Sequence, residues 1–207
     1  MRKIIVGAFI TLDGVMQSPG GPTEDTSGNF THGGWLPPYF DDTVGAAMGE
    51  LMSQPYDLLL GRKTYDIFAG YWPHQKGDPT SEQFDRITKY VASRDASFAP
   101  DWQNTVALGP DPIARLREIK QQDGPALLTQ GSTNFLQTLF SNDLVDEMTT
   151  LTFPVVLGYG KRLFEKGVSP SSFKLLDSKT SPSGVTISRF ERAGSVETAS
   201  VGGVNAP

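Results

Sequence analysis

The sequence predicts a three-layer α/β domain, a mixed and mainly parallel central sheet flanked by helices, with antiparallel strands completing it near the C-terminus. Three observations carry that prediction. Short apolar runs alternate with helix-period segments through the first two thirds of the chain, the pattern of parallel strands joined by helical crossovers. Two of those runs, Leu58-Leu59-Leu60 and Pro125 to Thr129, reach a glycine and pass straight into a helical pattern, at Gly61-Arg62-Lys63-Thr64 and Gly131-Ser132-Thr133. Beyond Leu144, strand-like segments follow one another with no helix of length between them, and Ser181-Pro182-Ser183-Gly184 reads as a hairpin turn.

The elements follow in order. Lys3 to Leu12 is rich in apolar and β-branched residues and is bounded by Asp13-Gly14, so it reads as a central strand. Gln17 to Pro38 turns to Gly, Pro, Ser, Thr and Asp; a loop of that length in a compact domain is expected to fold over a site. Asp41-Asp42 caps a helix running to about Met52. Tyr56 to Leu60 is too short and too apolar for an amphipathic helix and is read as a buried strand, with a helix from Arg62 that stops near Gly70 to Pro73. A short helix from Ser81 to about Ile87 leads to strands at Lys89–Ser93 and Asn104–Leu108. Asp111-Pro112 opens a helix that closes near Gly124, Pro112 suiting a first helical position. After the second glycine junction come strands at Leu144–Phe153, Ser172–Thr180 and Gly184–Arg192. One domain is expected over residues 1–193, and small residues from Gly194 onward predict a disordered tail over 194–207.

Composition removes several function classes. The 207 residues suit one domain with a full core, and 18 basic against 23 acidic residues give a net charge of −5, which argues against a nucleic-acid or acidic-membrane surface. There is no cysteine, so disulfides, thiolate catalysis and cysteine metal sites are excluded. His32 and His74 lie in different loops, and no metal is expected. Met1-Arg2-Lys3 followed by Ile4 to Ile10 superficially resembles a signal peptide, but the run is short and meets Asp13 with no small-residue cleavage site. No stretch approaches membrane-spanning length, and a soluble, cytoplasmic protein is expected.

A helix that starts near Arg62 presents free N–H groups and a positive dipole end at the edge of the sheet, which suits a phosphate. Arg62 and Lys63 would add full charges there, and an arginine fork matches phosphate oxygens. The bland alternative is an ordinary strand-to-helix turn with solvated basic residues. Gly131-Ser132-Thr133 repeats the arrangement, and two such junctions face the crevice where open α/β sheets bind nucleotides. Among acids, Asp13 and Asp41 are candidates for proton transfer, each with a plainer role as turn residue or helix cap. Aromatic residues in loops, Trp35 among them, can stack on a flat heterocycle or plug the edge of the core, and Tyr65 is a second candidate for the substrate wall.

Six stretches, in this order and on these elements, resemble the dihydrofolate reductase-like superfamily, and more closely the reductase domain of the bifunctional riboflavin-biosynthesis deaminase-reductase in a free-standing bacterial form. They are Phe9-Ile10-Thr11-Leu12-Asp13-Gly14-Val15, Leu60-Gly61-Arg62-Lys63-Thr64-Tyr65, Tyr90-Val91-Ala92-Ser93-Arg94, Gln130-Gly131-Ser132, Leu144-Val145-Asp146-Glu147 and Pro154 to Gly160, and they extend from Lys3 to about Arg192. The resemblance implies NADPH bound across the sheet edge, its pyrophosphate held at Gly61 to Thr64 and at Gly131 to Thr133. It further implies that Arg62, Ser93 and Arg94 meet the adenosine 2′-phosphate, and that Ala8, Phe9, Asp13 and Gly14 form the nicotinamide wall. The acid that assists protonation in dihydrofolate reductase matches Asp41 only with an offset, after Trp35-Leu36-Pro37-Pro38. The implied activity is an NADPH-dependent reduction of a small pyrimidine- or pterin-type substrate, such as an aminouracil ribosyl phosphate. A true dihydrofolate reductase and a non-catalytic nucleotide-binding module of the same fold are the alternatives. A homodimer is expected, because the β-rich C-terminal third has edge strands to cover.

Overall fold

The first strand sets the layers. In β1 (Ile4–Thr11), Ile4, Val6 and Ala8 are buried in one apolar cluster while Ile5 and Phe9 pack into clusters on the opposite face, as the two-residue period of a strand requires. The same alternation recurs in β2 (Tyr56–Gly61), where Leu59 faces one way and Tyr56, Leu58 and Leu60 the other. Both faces of this sheet therefore need helices, and the helices supply apolar stripes of matching length.

The computed structural model describes residues 1–200. After β1 come α1 (Asp42–Leu51), β2, α2 (Arg62–Tyr71), α3 (Pro79–Arg86), β3 (Lys89–Ala92), β4 (Thr105–Ala107), α4 (Pro112–Gln121), β5 (Ala126–Thr129) and α5 (Thr133–Ser141), then β6 (Glu147–Phe153), β7 (Ser172–Thr180) and β8 (Thr186–Gly194). They form one eight-stranded sheet in the order β4-β3-β2-β5-β1-β6-β8-β7. The fold is the three-layer, dihydrofolate reductase-like arrangement expected. Leu116 and Ile119 of α4 and Leu136, Leu139 and Phe140 of α5 cover one face. Tyr65 and Phe68 of α2 and Phe84 of α3 cover the other, with Val44 and Ala47 of α1 extending that side toward Leu151, Phe153 and Ile187.

The direction of β6 differs from the sequence reading, which grouped it with the antiparallel strands. It runs parallel to β1, from Ile5 opposite Glu147 to Thr11 opposite Phe153, and only β8 and β7 are antiparallel. The reason is the helix before it: α5 carries the chain back along the sheet, and a strand–helix–strand crossover delivers a parallel strand. The β7–β8 hairpin then folds so that β8 lies between β6 and β7, leaving β7 at the edge. Strand β8 ends at Gly194, residues 195–200 carry no regular element, and the remainder of the expected tail lies outside the described residues. No helix among the described residues is long and apolar enough to cross a membrane.

Candidate functional site

A cleft opens at the carboxyl ends of β1, β2 and β5, between α2 on one face and α5 on the other, with about 810 Å³ of space open to solvent. It sits where the connections leaving β2 and β5 diverge to opposite faces, the position at which open α/β sheets bind ligands. Phe9 and Met16 line one end, Lys63, Thr64 and Gly131 to Thr133 the other.

The two glycine junctions are locked to each other. The Gly61 amide donates to the Gly131 carbonyl at 3.1 Å. A Cβ on Gly61 would lie 2.2 Å from Ser132 Oγ and 2.9 Å from the Ser132 nitrogen, so only hydrogen fits. A Cβ on Gly131, whose φ is +144°, would lie 2.7 Å from Thr64 Oγ1. The Gly131–Ser132 peptide is cis. Each turn is therefore shaped by the other, and α2 and α5 begin side by side.

Helix capping separates these two helices from the rest. Asp41, Asp78 and Asp111 cap α1, α3 and α4, each carboxylate accepting from a backbone N–H of the first turn. Gly61 and Ser132, the N-cap residues of α2 and α5, make no such bond. First-turn N–H groups thus stay available where the two helices meet the cleft, with the positive ends of both dipoles behind them. That donor set fits the phosphates of a dinucleotide, with Lys63, Thr64, Ser132 and Thr133 as the residues that would hold them.

The segment from Gln17 to Pro38 folds against the cleft, and its hub is Gln17. The Gln17 side chain donates to the carbonyls of Asp25 (3.0 Å) and Ser27 (2.9 Å) and accepts from the Lys161 amide (3.1 Å), while its own carbonyl accepts from Trp35 Nε1 (2.9 Å). Asp25 is buried, with its carboxylate 2.6 Å from Lys161 Nζ and 3.6 Å from Lys63 Nζ, and it also accepts from the Ser27 amide and hydroxyl. Burial works to raise its pKa, but the bonds from Lys161 and Ser27 outweigh it and hold the carboxyl at about 2. Neighbouring Glu24, held by the amides of Gly20 and Gly21, has no cation within ion-pair reach among the described residues, and burial pushes its carboxyl up.

Of the residues singled out in the sequence, Lys63, Thr64, Gly131, Ser132 and Thr133 come together in the cleft, with Gly61 directly behind them. Arg62 turns away from the lining: it pairs with Asp66 at 2.7 Å and lies over the Phe98 ring, 4.3 Å from its centroid. Ser93 accepts from the Asp95 amide, Asp95 is 3.7 Å from Arg62, and Arg94 beside them is exposed. These groups form a separate polar rim at the carboxyl end of β3. Ala8 is buried in the core on the face of β1 opposite Phe9, and Gly14 makes the turn after β1 with φ +79°.

Four assignments change. Asp13 does not line the cleft; its carboxylate accepts from Thr11 Oγ1, the amides of Leu157 and Gly158, and Arg162, and so pins the loop after β6. Burial opposes its ionisation, yet those donors hold its pKa at about 2, where it is a poor proton donor near neutrality. Asp41 is the cap of α1, accepting from Val44 and Ser183 amides, and these bonds also bring it to about 2. Trp35 is buried edge-on to Phe153 and plugs the core. Tyr65 points into the cluster under α2, where its hydroxyl donates to Asp101 and accepts from the Trp102 amide. The residues that sequence reasoning missed are Gln17 and Asp25.

These features define a dihydrofolate reductase-like α/β fold with a cleft at the carboxyl ends of its central strands. The model of the RibD C-terminal domain matches residues 2–187, and the chain belongs to that family. It is 25% identical over 188 residues, 89% of this chain and 92% of the relative, to the uncharacterized protein YyaP of Bacillus subtilis (strain 168). Among solved structures it resembles a putative riboflavin biosynthesis protein from Shewanella sp. PV-4 (TM-score 0.63, 23% identity, covering 92% of this chain and 99% of that one). A pyrimidine reductase-like protein from Corynebacterium diphtheriae has the same TM-score of 0.63 at 13% identity, covering 93% and 92% of the two chains. Dihydrofolate reductase from Enterococcus faecalis, solved with NADP(H), has a TM-score of 0.58 at 11% identity, covering 92% and 96%.

Proposed function

We propose that this protein is an NADPH-dependent reductase that acts on a small pyrimidine- or pterin-type heterocycle, of the kind represented by an aminouracil ribosyl phosphate. The observation that carries the reading is the pair of uncapped helix starts, α2 and α5, interlocked at Gly61 and Gly131 and opening on one cleft with Lys63 beside them. NADPH, when bound, supplies the hydride. The chain's own tasks are to hold the phosphates at Lys63, Thr64, Ser132 and Thr133 and to place the nicotinamide against the end of β1 near Phe9. Arg62, Ser93 and Arg94 on the rim beyond α2 receive the 2′-phosphate and select NADPH over NADH.

The test is a titration with NADPH and with NADH, followed by tryptophan fluorescence, in the parent protein and in Lys63→Ala and Arg62→Ala. NADPH binds selectively, and each substitution weakens it about tenfold, the scale of one charge-assisted contact to a phosphate. Arg62→Ala also narrows the gap between the two nucleotides. Consumption of NADPH with dihydrofolate and with an aminouracil ribosyl phosphate then identifies the substrate class. Failure of both nucleotides to bind would remove the reading.

A further inference from the structure

The cleft contains its own anion. Its lining carries two lysines, Lys63 and Lys161, and both are engaged by Asp25, one carboxylate oxygen 2.6 Å from Lys161 and the other 3.6 Å from Lys63. Lys161 Nζ also bonds Ser27 Oγ at 2.7 Å. Lys63 belongs to the first turn of α2 and Lys161 to the loop after β6, so Asp25 ties together two walls of the cleft that share no strand pairing. Both lysines of the lining are thus already engaged by a carboxylate before any phosphate arrives. The uncapped N–H groups of α2 and α5 are nevertheless in place.

We infer that Asp25 is a displaceable stand-in for a ligand phosphate: a phosphate entering the cleft takes Lys63 and Lys161 from Asp25 and thereby releases the Gln17 to Pro38 segment. This rests on the reading of the cleft as a phosphate-bearing cofactor site. The exchange is favourable on charge grounds, since a diphosphate brings two negative charges and several acceptor oxygens to the same two lysines against the single charge of one carboxylate. The bonds that the change would loosen are specific. Ser27 donates both its amide and its hydroxyl to Asp25, the Asp25 amide donates to Ser18 Oγ at 3.0 Å, and the Gln17 amide group clasps the Asp25 and Ser27 carbonyls. Ligand binding is thus coupled to a local opening of the very segment that covers the site, rather than to simple closure over it.

Two measurements test this. Calorimetric titration compares the parent protein with Asp25→Asn, using NADPH and inorganic pyrophosphate as separate probes. Removing one like charge a few ångströms from a bound phosphate in a partly screened cleft tightens both about tenfold. In the parent protein, hydrogen exchange at the amides of Asp25 and Ser27 becomes faster with pyrophosphate bound, and this readout stands even where the variant folds poorly. Unchanged or weaker NADPH binding by a folded Asp25→Asn protein overturns the stand-in and leaves the cofactor reading intact, and slower exchange over residues 18–34 with pyrophosphate bound also overturns the stand-in. Tighter pyrophosphate binding by the variant, with NADPH bound by neither protein, keeps the stand-in and removes the cofactor reading. Binding of neither probe removes both.

Discussion

Gly61→Ala is the sharpest test of how the two junctions hold each other. The backbone of Gly61 has φ −74° and ψ 153°, which alanine adopts freely, so any cost comes from contact alone. The new Cβ would sit 2.9 Å from the Ser132 nitrogen and from Phe135 Cβ, and 2.2 Å from Ser132 Oγ. The hydroxyl can rotate aside, but the nitrogen and Cβ belong to the start of α5, which must retreat by about half an ångström to reach ordinary contact distance. Overpacking of that kind costs about 1–3 kcal/mol. Lengthening the 3.1 Å bond from Gly61 to Gly131 adds about 1 kcal/mol, and the lower chain entropy of unfolded alanine returns about 0.4–1 kcal/mol. The sum is a loss of about 1–3.5 kcal/mol, or about 2–14 °C in Tm for a chain of this size. Gly45→Ala, inside α1 and only 3.6 Å from the Phe40 ring, is the control: it gains about 1 kcal/mol of helix propensity. Denaturant and thermal unfolding of both variants measure the pair. A Gly61→Ala protein that melts within about 2 °C of the parent, while Gly45→Ala shows its gain, would refute the interlock.

Two further outcomes follow from other parts of the fold. Lys89 is fully buried at the start of β3, donates to the carbonyls of Phe84 and Ile87, and lies over the Trp102 ring; burial lowers its pKa from 10.5 to about 8, with Asp85 and Asp57 opposing. The folded state therefore loses this proton near pH 8 while the unfolded chain keeps it until about 10.5, so the unfolded state binds more protons between those values and stability rises with pH there. Thermal melts from pH 7.5 to 9.5 show that rise in the parent protein and not in Lys89→Met. The homodimer is proposed to form through β7, the nine-residue edge strand, on which Leu175 and Leu176 are 52% and 40% exposed. Light scattering gives a dimer mass, and Leu175→Lys with Leu176→Lys shifts it to monomer; a parent protein that is monomeric at working concentration removes the proposal.

Local chemistry made most of the fold readable. The run at Tyr56 to Leu60, its glycine stop and the helix behind it are visible because strand, turn and helix signals lie within a few residues, and the span Ser172–Thr180 is the same in sequence and structure. Two errors had the needed signal in view. A helix after Gly131 leading into a strand is a crossover, which fixes β6 as parallel. Tyr65, Ala69 and Trp72 recur at helical spacing and pack into one cluster, so Tyr65 belongs to the buried stripe of α2, whereas Lys63, Thr64, Ile67 and Phe68 line the cleft. The Asp25–Lys161 pair is different in kind. Its partners are 136 residues apart and are brought together by a covering segment whose regular structure is limited to short 3-10 turns, so no spacing rule reaches it.

The acids make the same distinction from another side. A carboxylate beside a helix start is cheap to read and ambiguous, because the N–H groups that would receive a ligand are equally well satisfied by the side chain itself. Asp41, Asp78 and Asp111 each resolve that ambiguity by bonding their own helix, which closes the terminus to any other anion. Where the chain instead places Gly61 and Ser132, the terminus forgoes a few tenths of a kcal/mol at the glycine and about 1 kcal/mol at the unbonded serine, and is left open on the cleft. The informative signal in this sequence was thus the absence of an acid at two helix starts out of five, rather than the presence of one at the others. Asp25 fits the same logic: among the described residues, the carboxylate paired with both lysines of the cleft comes from outside the helices.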